Sequence, residues 1–311
     1  MPKRLYHGAF ACAIITQVTK GGKLLPERII LDTVQHAITT RYRKTIWRKF
    51  LSAMQRYQMT RPGDRIAVCY SGGKDSLLLA KCMQTLQKYS TVPFEVVYLH
   101  MDPGYSPENR QKVMDTANKL GITPEVFHTD IYQVINGVKQ SPCHVCAAMR
   151  RGHLYKAARQ RGCNKIALGH HYDDAAETLL MGMLYGGEFK AMLPRLRSEN
   201  YLGMELIRPL YLVRERAVAA WKDEFALDTV TCACRVTQQE GGGKRKEVKE
   251  LLRSLEKRQA NVIDNIMASA SRVSLSTLLG YRQTADSPVT TFLDHSFQDD
   301  NASEDIVNQY F

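Results

Sequence analysis

The stretch Arg65-Ile66-Ala67-Val68-Cys69-Tyr70-Ser71-Gly72-Gly73-Lys74-Asp75-Ser76-Leu77-Leu78-Leu79-Ala80 decides how the rest of the chain is read. An apolar run of strand length meets a serine–glycine turn and then a helix-like run. In that geometry backbone N–H groups and a helix N-terminus converge on phosphate. Two adjacent glycines permit positive φ and close backbone approach, and neither blocks an anion with a side chain. The spacing fits neither the Walker loop nor the dinucleotide-binding Gly-x-Gly-x-x-Gly. The plainer reading is a serine-rich turn that caps a helix, with Asp75 and Ser76 in the first turn.

Outward from this stretch, strand and helix patterns alternate from Asp64 to about Leu212. Apolar runs at 65–70, 94–101, 124–128 and 164–169 are separated by helix-like stretches near 75–89, 107–119 and 145–161. Such alternation predicts an α/β fold with a parallel sheet and helices on both faces. A further helix-like run at 173–185 stops at Gly186-Gly187, residues 195–212 read as a hairpin, and Arg214 to Leu227 as another helix. The organisation expected is an extension over 1–25, a basic helical region over 26–63 and a phosphate-loop domain over 64–240. After the Gly241-Gly242-Gly243 linker come a helical region over 241–286 and a disordered acidic tail over 287–311. Parallel sheets bind ligands at the carboxyl ends of their strands. The loops that converge there begin at Ser71, at His100-Met101-Asp102-Pro103-Gly104 and at Gly169-His170-His171.

The chain has 311 residues, 44% of them hydrophobic, and a net charge of +12. That length suits one large α/β core with additions, and the charge points to a polyanionic partner. Residues 39–63 hold Arg41, Arg43, Lys44, Arg48, Lys49, Arg56 and Arg61 without one acid. Trp47, Phe50, Leu51 and Met54 recur there at helical spacing, predicting an amphipathic helix with a basic outer face and an aromatic core stripe. A second basic stretch carries Arg150, Arg151, Lys156, Arg159 and Arg161. Nucleic acid is the partner these patches favour. No stretch is long and apolar enough to span a membrane. The apolar residues 8–15 faintly resemble a signal peptide but are short, and a phosphate-binding loop of this kind belongs in the cytosol, so a cytoplasmic protein is expected.

Eight cysteines in such a chain are read as ligands or reactive thiols before disulfides. Cys69, Cys82 and Cys163 lie inside apolar patterns and read as packing. Pro142-Cys143-His144-Val145-Cys146 is a C-x-x-C at a helix start, where the dipole lowers thiol pKa. A redox pair, half of a zinc site and iron–sulfur ligands all remain open, and Cys232-Ala233-Cys234 could complete a four-cysteine zinc site. In Gly169-His170-His171-Tyr172-Asp173-Asp174-Ala175-Ala176-Glu177-Thr178, the residues Asp174, Glu177 and Thr178 share one helix face. Capping and macrodipole compensation explain part of this pattern. A Mg²⁺ carboxylate and polar contacts to ATP or substrate explain more of it.

Ser71-Gly72-Gly73-Lys74-Asp75-Ser76, the C-x-x-C at 143–146, Leu168-Gly169-His170-His171-Tyr172-Asp173-Asp174, Tyr185-Gly186-Gly187 and Ile207-Arg208-Pro209-Leu210 occur in that order. Together they resemble the tRNA 2-thiocytidine synthetases (TtcA-type) of the PP-loop ATP pyrophosphatase superfamily, over about residues 38–275. The resemblance implies a Rossmann-like, adenine-nucleotide-hydrolase-like domain with helical N- and C-terminal additions. It implies ATP held by Ser71, Gly72, Gly73, Lys74, Asp75, Ser76, His100, Met101, Gly169 and His170, with Mg²⁺, Asp75 and Asp174 as catalytic groups. It implies a 4Fe–4S cluster on Cys143, Cys146 and Cys232. The family form of the later pair is C-x-x-C after proline; Thr231-Cys232-Ala233-Cys234 departs from it and leaves Cys234 as an alternative ligand or relay thiol. The implied reaction adenylates O2 of an anticodon-loop cytidine, by family at tRNA position 32, and replaces that oxygen with sulfur. Implied partners are tRNA, met by Arg41, Arg43, Lys44, Arg48, Lys49, Arg150 and Arg151, a cysteine desulfurase or other sulfur donor, and a second copy in a homodimer. Competing readings are a tRNA lysidine synthetase, another PP-loop thiolase, a small-molecule ligase, and a zinc-stabilised RNA-binding or redox-sensing protein.

Overall fold

The computed structural model describes residues 26–135, 142–230, 243–284 and 286–296, the side chains of 26–32, 142–144 and 295–296 excepted. Its centre is a six-stranded sheet built from β1 (Arg65–Cys69), β2 (Glu95–Asp102), β3 (Glu125–His128), β4 (Lys165–Ala167), β5 (Arg195–Arg197) and β6 (Glu205–Ile207). The strand order is β3-β2-β1-β4-β6-β5. All neighbours run parallel except β5, which pairs antiparallel with β6 as the hairpin pattern predicts. Ile66, Ala67 and Val68 of β1 are buried, as is every residue of β4, because helices cover both faces there.

The strand order reverses direction at β1, between β2 and β4, so the crevice for a ligand opens above the carboxyl ends of β1 and β4. One face carries α1 (Pro26–Thr39), α2 (Arg48–Arg56), α3 (Lys74–Tyr89), α4 (Pro107–Lys119) and α8 (Glu215–Glu224). Trp221, Phe50, Ile38, Leu77 and Tyr70 fill its core. Between the two faces' crossovers run the short α5 (Ile131–Ile135) and the long α6 (Pro142–Gln160). Tyr155, Ala157 and Ala158 of α6 pack on the other face, against Ala67, Leu99, Ile166 and Leu206.

Beyond the sheet, α7 (Tyr172–Met181) passes into a π-helical turn, Gly182–Gly186, closed by Gly187 in the left-handed region at φ 63°. Two C-terminal helices, α9 (Gly243–Arg258) and α10 (Val262–Ser269), bury Val248, Leu252 and Ile263 against Ala176 of α7. This small core is what holds the C-terminal region on the site.

Two expectations change. The basic segment 39–63 is not one helix: α1 ends at Thr39, a π-helical turn spans Arg43–Trp47, and α2 stops at Arg56, where Gln58 turns through φ 48°. Its stripe is core as expected, with Phe50 and Met54 buried and Trp47 and Leu51 packed against them. The acidic tail is ordered at its start, where β8 (Thr290–Thr291) pairs with β7 (Gly280–Tyr281) and α11 (Phe292–Ser296) follows. The extension 1–25 and residues 297–311 lie outside the described residues.

Candidate active site

The loop after β1 does not cap the helix it precedes. Gly73 is the N-cap of α3 and brings no side-chain acceptor to the first turn. Ser76 instead turns back: its Oγ accepts from the Ser71 N–H (3.1 Å) and donates to the Gly73 carbonyl (2.8 Å). The first-turn N–H groups of α3 are thus left for an anion rather than taken by the chain. Of the two glycines only Gly72 uses positive φ, at 81°; Gly73 is extended at φ −81°. A Cβ on Gly72 would also stand 2.7 Å from Val113 Cγ2.

The loop after β4 lies directly on this turn. A Cβ on Gly169 would meet the Asp75 carbonyl carbon at 3.0 Å and the Ser76 nitrogen at 3.1 Å, so only glycine lets the two loops touch. His171 is buried and is the N-cap of α7: its Nδ1 accepts from the Asp174 N–H (3.2 Å), while the Asp174 carboxylate accepts from the His171 N–H (2.9 Å). This is a capping box with histidine in place of serine. Asp173 caps a different helix, accepting from the Glu215 N–H (2.7 Å) at the start of α8, and takes Arg214 at 3.0 Å. His170 is half-buried, and its Nδ1 finds no protein partner. Burial first, and the Arg208 guanidinium next, hold its pKa well below 6.5.

Four cations, three of them from outside these loops, complete the electrostatics. Lys74 meets Asp75 (3.0 Å) and Glu215 (3.2 Å). From α9, Arg245 reaches Asp174 (3.0 Å) and Glu177 (2.9 Å), and Lys249 reaches Glu215 (2.6 Å). Arg214 also binds Glu256 of α9 at 2.8 Å. Burial raises the Glu177 pKa, and Arg245 opposes the rise. Burial also raises the Glu215 carboxyl, but the Lys249 hydrogen bond and the charges of Lys74 and Lys249 overcome it and bring it down to about 2. Between Lys74, Asp75, His171, Asp174, Glu215 and Arg245 lies a cavity of about 260 Å³. Sequence pattern singles out none of Arg214, Glu215, Arg245 and Lys249, and the start of α9 reads only as part of the C-terminal helical region. Arg245 and Lys249 stand four apart on it, the spacing of one helical face.

The third expected loop differs. His100 is fully buried, with Nδ1 2.8 Å from the Tyr70 carbonyl, and its backbone is paired in the sheet. Its side chain is therefore part of the core under the loop. Met101 is half-buried and packs on Ile131 and Ile135. The buried Asp102 shapes the turn that follows, accepting from the Gly104 and Tyr105 N–H groups (2.9 and 2.8 Å) and from Arg110 (2.7 Å).

Cys146, one turn into α6, is half-buried in the same cluster as Met101, Val145 and Met149. The side chain of Cys143, and Cys232 and Cys234 altogether, lie outside the described residues. The chain nevertheless arrives at the site just before them: the Val230 N–H donates to the Gly72 carbonyl at 3.0 Å. Cys232 is two residues further along the sequence. Of the thiols expected to hold a cluster, the described residues give the side chain of Cys146 alone, and among the described residues no three His, Cys, Asp or Glu side chains gather as a metal site. Cys69, Cys82 and Cys163 suit packing, as expected. Burial pushes Cys69 up to about 12 and raises Cys82 and Cys163 too, which leaves them protonated and inert.

The basic stretches fall on opposite layers, α2 with the first face and α6 with the second. Arg43, Lys44, Arg48, Lys49 and Arg151 are exposed. Arg41 is paired with Glu224 of α8, an acid distant in sequence, and Tyr42 binds the same carboxylate at 2.7 Å. Arg150 lies over the Tyr132 ring, 6.0 Å from its centroid.

A switch point at β1, a glycine turn open to anions and an acid-rich loop after β4 define a PP-loop α/β protein. The model of the PP-loop domain family matches residues 43–230. The tRNA-cytidine(32) 2-sulfurtransferase of Citrifermentans bemidjiense is 35% identical over 230 residues, covering 73% of this chain and 89% of that protein. The enzyme of the same name from Alcanivorax borkumensis is 34% identical over 260 residues, covering 81% and 88%. The chain belongs to the PP-loop family and, within it, to the tRNA 2-thiocytidine synthetases. The fold is shared with the U34-tRNA thiolase NcsA from Methanococcus maripaludis, solved with its 4Fe–4S cluster, at a TM-score of 0.55 and 19% identity over 80% of this chain and 81% of that one.

Proposed function

We propose that the protein is an ATP-dependent tRNA sulfurtransferase that converts an anticodon-loop cytidine, at tRNA position 32, to 2-thiocytidine. The observation that carries this reading is the Val230–Gly72 hydrogen bond, which holds the last described residue before Thr231-Cys232 on the phosphate loop. The relatives that match most of this chain are named for that reaction.

In this reading the Ser71–Ser76 turn binds the ATP phosphates through backbone N–H groups and the α3 N-terminus, with Lys74 neutralising charge on them. Asp75 and Asp174 are the carboxylates placed to hold Mg²⁺. A carbonyl oxygen is a poor leaving group, so cytidine O2 attacks the α-phosphorus and pyrophosphate departs. Sulfur at the hydrosulfide level then bonds to C2, the C2–O bond breaks, AMP leaves and the thiol proton is lost to solvent. Cys143, Cys146 and Cys232 would hold a 4Fe–4S cluster whose fourth iron has no protein ligand and supplies a site for that sulfur. Arg43, Lys44, Arg48, Lys49 and Arg151 meet the tRNA backbone. A cysteine desulfurase-type donor, a homodimer and a cytoplasmic location complete the proposal, with 64–240 as the catalytic domain and 26–63 and 241–286 as helical additions.

The test is made on protein purified without oxygen, with iron and acid-labile sulfide measured beside tRNA nucleoside analysis. About four irons with matching sulfide and ATP-dependent 2-thiocytidine are expected. Cys143→Ala should lose thiolation and keep tRNA binding. Colourless protein with about one zinc that stays inactive after anaerobic reconstitution would refute the reading.

A further inference from the structure

We infer that His171 is a positioning residue for Asp75, with its two ring nitrogens doing separate jobs; the inference deepens the functional reading above and rests on it. The ring is 2% exposed, so each nitrogen answers to the protein. Nδ1 stands 3.2 Å from the Asp174 backbone nitrogen, which can only donate. Nδ1 therefore keeps its lone pair in this bond, and the ring proton sits on Nε2. Nε2 lies 3.6 Å from Asp75 Oδ1.

That oxygen is buried and has no hydrogen-bond partner, whereas Oδ2 of the same carboxylate takes Lys74 at 3.0 Å. Among the described residues, the donor that stands against Oδ1 is the N–H that helix capping has placed there. At 3.6 Å the pair is longer than a hydrogen bond, and such contacts in substrate-free sites tighten in the working complex. The opposite tautomer would put a second N–H against the Asp174 amide and leave the amide unpaired. That N–H would have to turn to Asp174 Oδ2, at 3.3 Å and already accepting the His171 N–H, or to Asp173 Oδ2, at 4.0 Å and already accepting the Glu215 N–H. Capping of α7 on one side of the crevice hence dictates how the carboxylate of α3 is held on the other.

Two substitutions in the full-length protein separate the jobs. His171→Asn keeps an acceptor where Nδ1 stands and lacks Nε2; Asn is also a strong N-cap. His171→Gln carries an amide donor toward the Nε2 position and lacks the cap acceptor. H171N should unfold near the wild-type midpoint, yet release pyrophosphate from ATP and tRNA about tenfold more slowly, with the KM for ATP little changed. H171Q should unfold earlier and keep a rate about threefold or more above that of H171N. A wild-type rate in H171N, or a folded H171Q slower than H171N, would overturn the inference. Long-range ¹H–¹⁵N spectra of the imidazole give a second, turnover-independent answer. The resonance lost in H171N should show the Nε2–H tautomer and move in Asp75→Asn; an Nδ1–H tautomer overturns the assignment. Wild-type protein that releases no pyrophosphate would count against the functional reading, and the tautomer would still decide this one.

Discussion

The Val230 N–H donates to the Gly72 carbonyl at 3.0 Å, so the backbone that leaves α8 is fastened to the phosphate loop before it reaches its cysteines. Cys232 follows two residues later and Cys234 four. In the proposed reading Cys232, the nearer in sequence, is the third cluster ligand. Cys232→Ser is expected to lose most bound iron and all thiolation, whereas Cys234→Ser keeps about half or more of both. Iron content and nucleoside mass spectrometry check this, and the reverse pattern would transfer the ligand role to Cys234.

Gly72 and Gly73 look equivalent in the sequence and are not equivalent in the loop. Gly72→Ala forces an L-residue to φ 81° and drives Cβ to within 2.7 Å of Val113 Cγ2. The two effects together should cost about 2–4 kcal/mol and deform the turn. Gly73→Ala meets only ordinary contacts, at 3.6 and 3.9 Å, and its φ of −81° suits alanine. Its stability should change by less than about 1 kcal/mol. Urea unfolding of the two variants side by side gives the comparison.

What could be read from the sequence was what local pattern encodes. Strand, glycine turn and helix at Arg65–Ala80, the helix stop at Gly187 and the antiparallel hairpin around β5 and β6 all depend on residues near one another in the chain. The site's ion pairs do not. Arg245 lies 71 residues from Asp174 and Arg41 183 residues from Glu224. Each partner alone reads as an ordinary solvated charge, so Arg41 reads as a nucleic-acid contact and Arg245 as one more residue of the C-terminal helical region. His171 is a different case: capping was recognised, but the nitrogen left over by the cap acquires meaning only when the loop after β1 is folded against it.

Glu215 links pH to stability through the same network. Its ordinary pKa of 4.5 falls to about 2 in the folded protein, because Lys249 and Lys74 outweigh the effect of burial. A depressed carboxyl stabilises the fold above pH 4.5, and the gain is lost as pH falls toward 2. Wild-type protein should therefore lose a few kcal/mol across that window, and Glu215→Gln should show a shallower decline. Thermal unfolding at several pH values between 2 and 6 tests the sign. His170, held below 6.5, acts in the same direction at higher pH: its contribution is present above 6.5 and declines as pH falls below that value. A Glu215→Gln profile that still falls between pH 6.5 and 4.5 would be the mark of the histidine.

The basic residues divide by whether the fold has already given them a partner. Arg43, Lys44 and Lys49 are exposed, and in the proposed reading a phosphate contact by each would release counterions on tRNA binding. Arg41 is joined to Glu224 and brings no net charge to the surface. Replacing Arg43, Lys44 and Lys49 together by alanine should lower the salt dependence, the slope of log K against log salt concentration, by about 2–3. Replacing Arg41 should lower it by less than about 0.5, because the lost cation leaves Glu224 unpaired rather than a phosphate. Fluorescence anisotropy of labelled tRNA across a salt series measures both slopes. Equal losses for the triple variant and for Arg41→Ala would show that the Glu224 pair opens on the nucleic acid. An unchanged slope in the triple variant would move the tRNA contact to the α6 face, where Arg151 and Lys156 are exposed.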